Sequence, residues 1–139
     1  MEKITVYKAN DGSLYSTIKE CAEHENKEYP KIEGYTCYGK YYLADKIFKD
    51  VYLKKALEMK EEIIFPNGKI AIAHTLSEEE LETIPKVARA CNEDYWTSTP
   101  DRTIYYSHYF VSNRGNICYG NNDYNNIAVR LGFKNPFFN

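Results

Sequence analysis

A run from Ile104 to Ser112 that splits into two alternating faces constrains the fold of the last third of the chain more than any other feature. Between Ile104 and Ser112, residues Ile104, Tyr106, His108 and Phe110 fall on one side. Tyr105, Ser107, Tyr109 and Val111 fall on the other. A period of two belongs to a β-strand with two distinct faces, so this segment is predicted as the longest strand. Asn113-Arg114-Gly115-Asn116 follows as a hairpin turn, and Ile117–Gly120 is the return strand. Tyr95–Thr99 reads as a preceding strand, with Pro100-Asp101 turning the chain. Asn121–Asn126 reads as a polar loop, and Ile127–Phe133 is expected to close the sheet.

The first two thirds mix helix and strand signals. Residues 3–9 alternate as a strand, and Asn10-Asp11-Gly12 marks a turn. Thr17 with Glu20 has capping-box spacing and opens a helix over about 18–27. Tyr29, Tyr35, Tyr38, Tyr41 and Tyr42 sit among Pro30, Gly34 and Gly39, predicting a Tyr-rich loop or irregular strand pair. Leu43, Ala44, Ile47, Phe48 and Val51 follow helical spacing, which predicts a helix over 43–61 with a break near Asp50. Ile63–Phe65 and Ile70–Ala73 flank Pro66-Asn67-Gly68-Lys69 as a hairpin. Ser77 with Glu80 forms a second capping box for a helix reaching about 92, interrupted by Pro85.

At 139 residues the chain is expected to form a single α+β domain, with a strand-helix portion over 1–73 and a meander portion over 74–139. Tyrosine is unusually abundant, at 14 copies; five lie within 29–42 and six from 95 onward. The first group is expected to pack as a loop against the second, so both segments mark one candidate surface. Eight of the 12 Asn follow residue 110. Tyr offers a rigid face with a polar tip, and Asn offers donor and acceptor together, a chemistry that suits binding loops.

Net charge is −2, but it is unevenly placed. Residues 1–94 hold 14 basic and 18 acidic groups, against 4 and 2 in residues 95–139. Arg102, Arg114 and Arg130 lie in that last third, either as ordinary surface or sheet-bracing arginines or as partners for phosphate or carboxylate. With no basic cluster, general nucleic-acid binding is not expected. No apolar window approaches a membrane span and no secretory leader is visible, so a reduced, cytoplasmic setting is expected for Cys21, Cys37, Cys91 and Cys118.

Tyr95-Trp96-Thr97-Ser98-Thr99, a tyrosine strand, a Gly turn, an Asn-rich stretch and Val129-Arg130-Leu131-Gly132-Phe133 resemble a known module. It is the Y-W-S-S-T … V-R module of the bacterial DUF1566 family and its Fibrobacter paralogous relatives, within the C-type-lectin-like group. His74-Thr75-Leu76-Ser77-Glu78-Glu79-Glu80-Leu81 resembles the helix motif that precedes it there. The resemblance covers 74–133 and implies a C-type-lectin-like half with a small antiparallel sheet. Variable proteins of diversity-generating retroelements have similar Asn/Tyr-rich ends. Independently of the family, Trp96 can anchor a small sheet, and Arg130 can brace a loop carbonyl or carboxylate. Tyr7-Lys8-Ala9-Asn10-Asp11-Gly12 and Thr17–Glu25 are similar to the openings of small phage-encoded proteins of Gram-positive hosts.

Catalytic signatures are weak. Thr99-Pro100-Asp101 and Asn121-Asn122-Asp123 only partly match a lectin calcium loop, so no metal or cofactor is expected. Cys118 and His108 stand on neighbouring predicted strands, but nothing orients a base, and the chain is expected not to be an enzyme. The expected role is binding: an intracellular phage accessory protein blocking a host defence component, as an anti-CRISPR type of inhibitor does. It would act docked on a host protein or as a sponge for a nucleotide signal. The alternative is a carbohydrate- or protein-binding adhesive module; a homo-oligomer is compatible with either. The expected binding residues are Tyr95, Trp96, Arg102, Tyr105, His108, Arg114, Tyr119, Asn121, Asn122, Asp123, Tyr124, Asn125 and Arg130.

Overall fold

A computed structural model describes residues 2–100, 107–121 and 127–138. The described residues have mixed α+β architecture with three antiparallel sheets. A short hairpin of β1 (Tyr7–Lys8) and β2 (Leu14–Tyr15) leads into helix α1 (Ile18–Glu25). The Thr17 side chain accepts from the Glu20 amide, as the spacing predicts.

The main sheet has the order β3-β4-β10-β6-β5, from β3 (Tyr35–Cys37), β4 (Tyr41–Ala44), β5 (Glu61–Ile64), β6 (Ile70–Thr75) and β10 (Leu131–Lys134). Its central strand therefore comes from the end of the chain. A boundary at 73/74 would cut through β6, so the two sequence portions are interleaved in one sheet. Gly132 makes that central position possible: a Cβ there would stand 2.8 Å from the Tyr42 carbonyl oxygen and 2.6 Å from Leu76 Cδ1.

The predicted helix over 43–61 is corrected. Tyr41–Ala44 is strand, buried at all four positions, and only α2 (Leu53–Glu58) is helical. A strand buried on both faces loses its alternation and mimics a helix stripe. Asp50 adopts φ +57° at a bend before α2. The second capping box forms as predicted, with Ser77 and Glu80 reciprocally bonded. Its helix is short, however: α3 (Glu78–Glu82) ends before Pro85, and α4 (Lys86–Arg89) restarts after it.

The meander is the third sheet: β7 (Tyr95–Pro100), β8 (Ser107–Val111) and β9 (Ile117–Asn121), in that order. The predicted hairpin forms, with Val111 opposite Ile117 and Phe110 opposite Cys118. Residues 127–130 do not close this sheet as an antiparallel strand. The Ala128 carbonyl accepts from the Trp96 amide, Val129 bridges to Phe48, and the chain then enters the main sheet as β10. That segment stitches the two sheets together.

Two apolar clusters fill the interior. One gathers Tyr42, Phe65, Phe133, Trp96 and Val129 against Leu53 and Ala56 of α2. The other gathers Leu43, Leu76, Leu81, Ile84, Tyr95 and Val111. Trp96 is fully buried with its ring edge-on to His108 and Phe110, the sheet anchor expected of it. Removing about 200 Å² of Trp surface from water contributes up to about 5 kcal/mol at about 25 cal/mol per Å².

Candidate functional site

The expected binding set divides sharply in space. Tyr95, Trp96, His108 and Arg130 are all buried, so these four are corrected from a ligand surface to the interior. The Tyr95 hydroxyl donates to the Arg89 carbonyl at 2.7 Å, and burial raises its pKa to about 12. His108 Nε2 meets the Thr97 carbonyl at 2.7 Å, the geometry of a neutral ring donating its proton, and burial lowers its pKa.

Arg130 takes the bracing role. Its Nε donates to the Ala44 carbonyl at 2.6 Å, and its Nη1 donates to Ala88 and Arg89 carbonyls, each at 3.2 Å. Its guanidinium carbon lies 5.6 Å from the centroid of the Tyr95 ring. One cation thus ties β4, α4 and the stretch before β10 together.

Arg114 is exposed in the β8–β9 turn, and Tyr119 is 58% exposed on β9, edge-on to Tyr109 at 6.2 Å. Arg102, Tyr105, Asn122, Asp123, Tyr124 and Asn125 lie outside the described residues, and Asn121 is placed only as the end of β9. Cys118 and His108 do not engage each other: Cys118 Sγ donates to the Asn116 carbonyl at 3.7 Å. Among the described residues, no cluster of three or more metal-ligating side chains occurs. No helix among them is long and apolar enough to cross a membrane.

A concavity lies in the other tyrosine segment. A cleft of about 430 Å³ opens between α1, the 26–34 loop and β3. Its floor holds Tyr35, Tyr42, Thr36 and Ile32, and its rim holds Lys19, Lys27, Lys31, Glu23 and Glu33. The size falls in the range of small-molecule pockets, roughly 300–1,000 Å³.

Local chemistry builds this cleft. Asn26 caps α1 and donates from Nδ2 to the carbonyls of Ala22 and Cys37, which clamps the helix end to β3. Gly34, at φ +84°, lets the loop turn into the strand. The floor rings are fixed from below. Tyr42 stacks on Phe133 at 4.8 Å, and its hydroxyl donates to the Pro30 carbonyl at 2.6 Å. Tyr35 sits edge-on to Phe133 and donates to Glu61 at 3.1 Å. Burial pushes both phenols well above their ordinary range, so they stay neutral.

The floor therefore presents largely apolar surface with its hydroxyls already engaged. On the rim, Lys19 pairs with Asp45 and lies 3.7 Å from Glu23. Lys27 and Lys31 are exposed and, among the described residues, form no ion pair. Cys37 lines the cleft, but burial raises its thiol, which keeps it protonated and a poor nucleophile. The arrangement suits a ligand with a flat, partly apolar body and an anionic end.

Among the described residues the two tyrosine groups meet in the interior, where Tyr41 and Tyr38 share a core cluster with Tyr95; Tyr105, Tyr106 and Tyr124 lie outside the described residues. Tyr35 and Tyr42 pack on Phe133, and Tyr29 lies 6.5 Å from Phe138. The cleft residues Lys19, Lys27, Lys31 and Ile32 were absent from the expected binding set, although Tyr29, Tyr35 and Tyr42 belong to the Gly/Pro-broken tyrosine cluster that marked this segment. Compared with protein-family models, with curated proteins and with solved structures, the chain matches none of them.

Proposed function

We propose that the chain is a phage accessory protein that acts inside the host cell by binding, and that its cleft sequesters a nucleotide signal of host defence. The observation carrying this reading is the cleft of about 430 Å³, lined by Tyr29, Ile32 and the edge of Tyr35, with two rim lysines that form no ion pair among the described residues. A base can lie against the half-buried Tyr29 and Ile32, and Lys27 and Lys31 can meet phosphate as mobile point charges. The phage-like opening at 7–25 supports the setting.

The C-terminal half is read, in the same proposal, as C-type-lectin-like. Its support is the Trp96-led three-stranded meander together with the motif at 95–99 and 129–133. A second reading, a protein-docked inhibitor, draws on the exposed Tyr119 and Arg114 of that meander.

Mass spectrometry of the protein purified from infected or signal-producing cells tests the main reading. Denaturation should release an intact nucleotide in near-stoichiometric amount, and Lys27→Glu with Lys31→Glu should abolish its co-purification. Protein that carries no nucleotide and co-elutes with a host protein instead would favour the docked inhibitor. Protein that binds only glycans would sink both and leave the adhesive module.

A further inference from the structure

The far side of the main sheet carries a surface that the cleft does not use. In the β5–β6 hairpin, Ile63 and Ala73 turn into the core beneath α2. The alternate residues therefore turn the opposite way. Ile64, Ile70 and Ile72 are 66%, 62% and 46% exposed, and Ile64 stands opposite Ile70 across the ladder. The farther strands of this face are covered, because Tyr41 and Leu43 lie under Leu76, Leu81 and Ile84. Only the hairpin end is left bare. Three isoleucines at these exposures offer on the order of 300 Å² of contiguous apolar surface, the size at which a patch marks an interaction site.

The charges beside the patch indicate what covers it. Glu62 stands opposite Ile72 on the edge strand. On the inner side, Gly132 is opposite His74, and Lys134 follows two residues later on the same face. Continuing that register brings Lys134 level with Ile72. One row across the sheet therefore reads acid, isoleucine, base. Among the described residues neither Glu62 nor Lys134 forms an ion pair, and both are exposed. A patch with an apolar centre and opposite charges on its two flanks is complementary to itself.

We propose that this face is an isologous interface with a second copy of the chain. A two-fold axis running along β6 above Ile72 stacks Ile70 and Ile72 on their own counterparts. The same rotation sets each Glu62 over Lys134 of the partner subunit, twice per dimer. The two sheets then pack face to face with their strands nearly aligned, the ordinary geometry of a sandwich. The three isoleucines of each copy would together bury about 600 Å², with the flanking charges adding to this, below the standard size of a specific complex, so association is weak and concentration-dependent. It lies on the opposite sheet face from Tyr35 and Tyr42 and does not depend on the ligand proposed for the cleft.

Sedimentation velocity across a concentration series tests this, with circular dichroism on every variant. The wild type should shift from monomer to dimer. Ile72→Asp should remain monomeric with an unchanged spectrum. Glu62→Lys and Lys134→Glu should each weaken the dimer about tenfold, because each sets like charges opposite one another. The double reversal should restore it. If Ile72→Asp does not fold, the two exposed charge reversals still decide the matter. A wild type that stays monomeric overturns the proposal, whether the patch then binds lipid vesicles, a foreign protein or nothing. So does a dimer indifferent to these residues, or one that the double reversal fails to recover.

Discussion

Replacing Arg130 by Met keeps most of its volume and removes every hydrogen bond it donates. Three carbonyl oxygens, those of Ala44, Ala88 and Arg89, then lose the guanidinium. Hydrogen bonds from a charged donor contribute about 1.5–3 kcal/mol each, and a buried acceptor left unpaired costs about 1–3 kcal/mol. The removed charge needs no desolvation in the variant, which offsets part of this loss. A net cost of about 3–5 kcal/mol follows, a large share of the roughly 5–15 kcal/mol that stabilises a domain. For a chain of this length that lowers the melting temperature by about 10–15 °C. Arg130→Lys should fall between, at about 2–3 kcal/mol, since one ammonium cannot span three carbonyls on two sides. Urea unfolding monitored by fluorescence of Trp96, the single Trp, measures both. The midpoint should drop with an unchanged slope. An Arg130→Met variant within about 1 kcal/mol of wild type would refute the bracing role. If such a variant also lost a ligand, Arg130 would return to the binding surface.

Two further predictions concern the core and pH. Gly132→Ala should cost about 1–3 kcal/mol, because its Cβ would meet the Tyr42 carbonyl as well as Leu76. A Leu76→Val partner substitution should recover only part of that loss in thermal melts, since the backbone oxygen cannot move aside. Stability against pH should show a plateau with two identified flanks. His108 has a pKa lowered below its ordinary 6.5, so its contribution is present above that value and is lost as pH falls. Tyr95 is raised from 10.0 to about 12, so its contribution is present below 10.0 and is lost as pH rises toward 12. His108→Gln should flatten the acid flank as pH falls below 6.5; an unchanged flank would contradict a buried neutral imidazole.

Much of the local structure was legible because it rests on local chemistry. The Thr17 and Ser77 caps, the turn at 66–69 and the alternation of 107–111 each follow from neighbours in sequence. The strand pair expected of the Tyr-rich segment forms as β3 and β4, but Leu43 and Ala44 carry a helix-like spacing because burial on both faces erases the period that distinguishes strand from helix. The place of β10 was illegible for another reason. Its partners lie near residues 42 and 74, and nothing local to Leu131–Lys134 specifies pairing over such separations. The same long-range closure decided the site. Arg130 and Trp96 have the composition of a binding surface, yet the strand that follows Arg130 carries it into the interior. The cleft depends on Tyr42 stacking on Phe133, a contact between residues 91 positions apart in sequence.

The proposed function requires that the tyrosine-lined cleft, rather than the meander, takes the ligand. Thermal-shift titration with a panel of mono-, di- and cyclic nucleotides compares wild type with two variants. One carries Lys27→Glu and Lys31→Glu, and the other carries Arg114→Glu and Tyr119→Ala. At a ligand concentration of about 100 times Kd, binding should stabilise the protein by about 2.7 kcal/mol, a rise of several degrees. The shift should vanish in the cleft variant and persist in the meander variant, with both melting near wild type when free. A shift that survives the lysine reversals and disappears with Arg114 and Tyr119 would contradict the account.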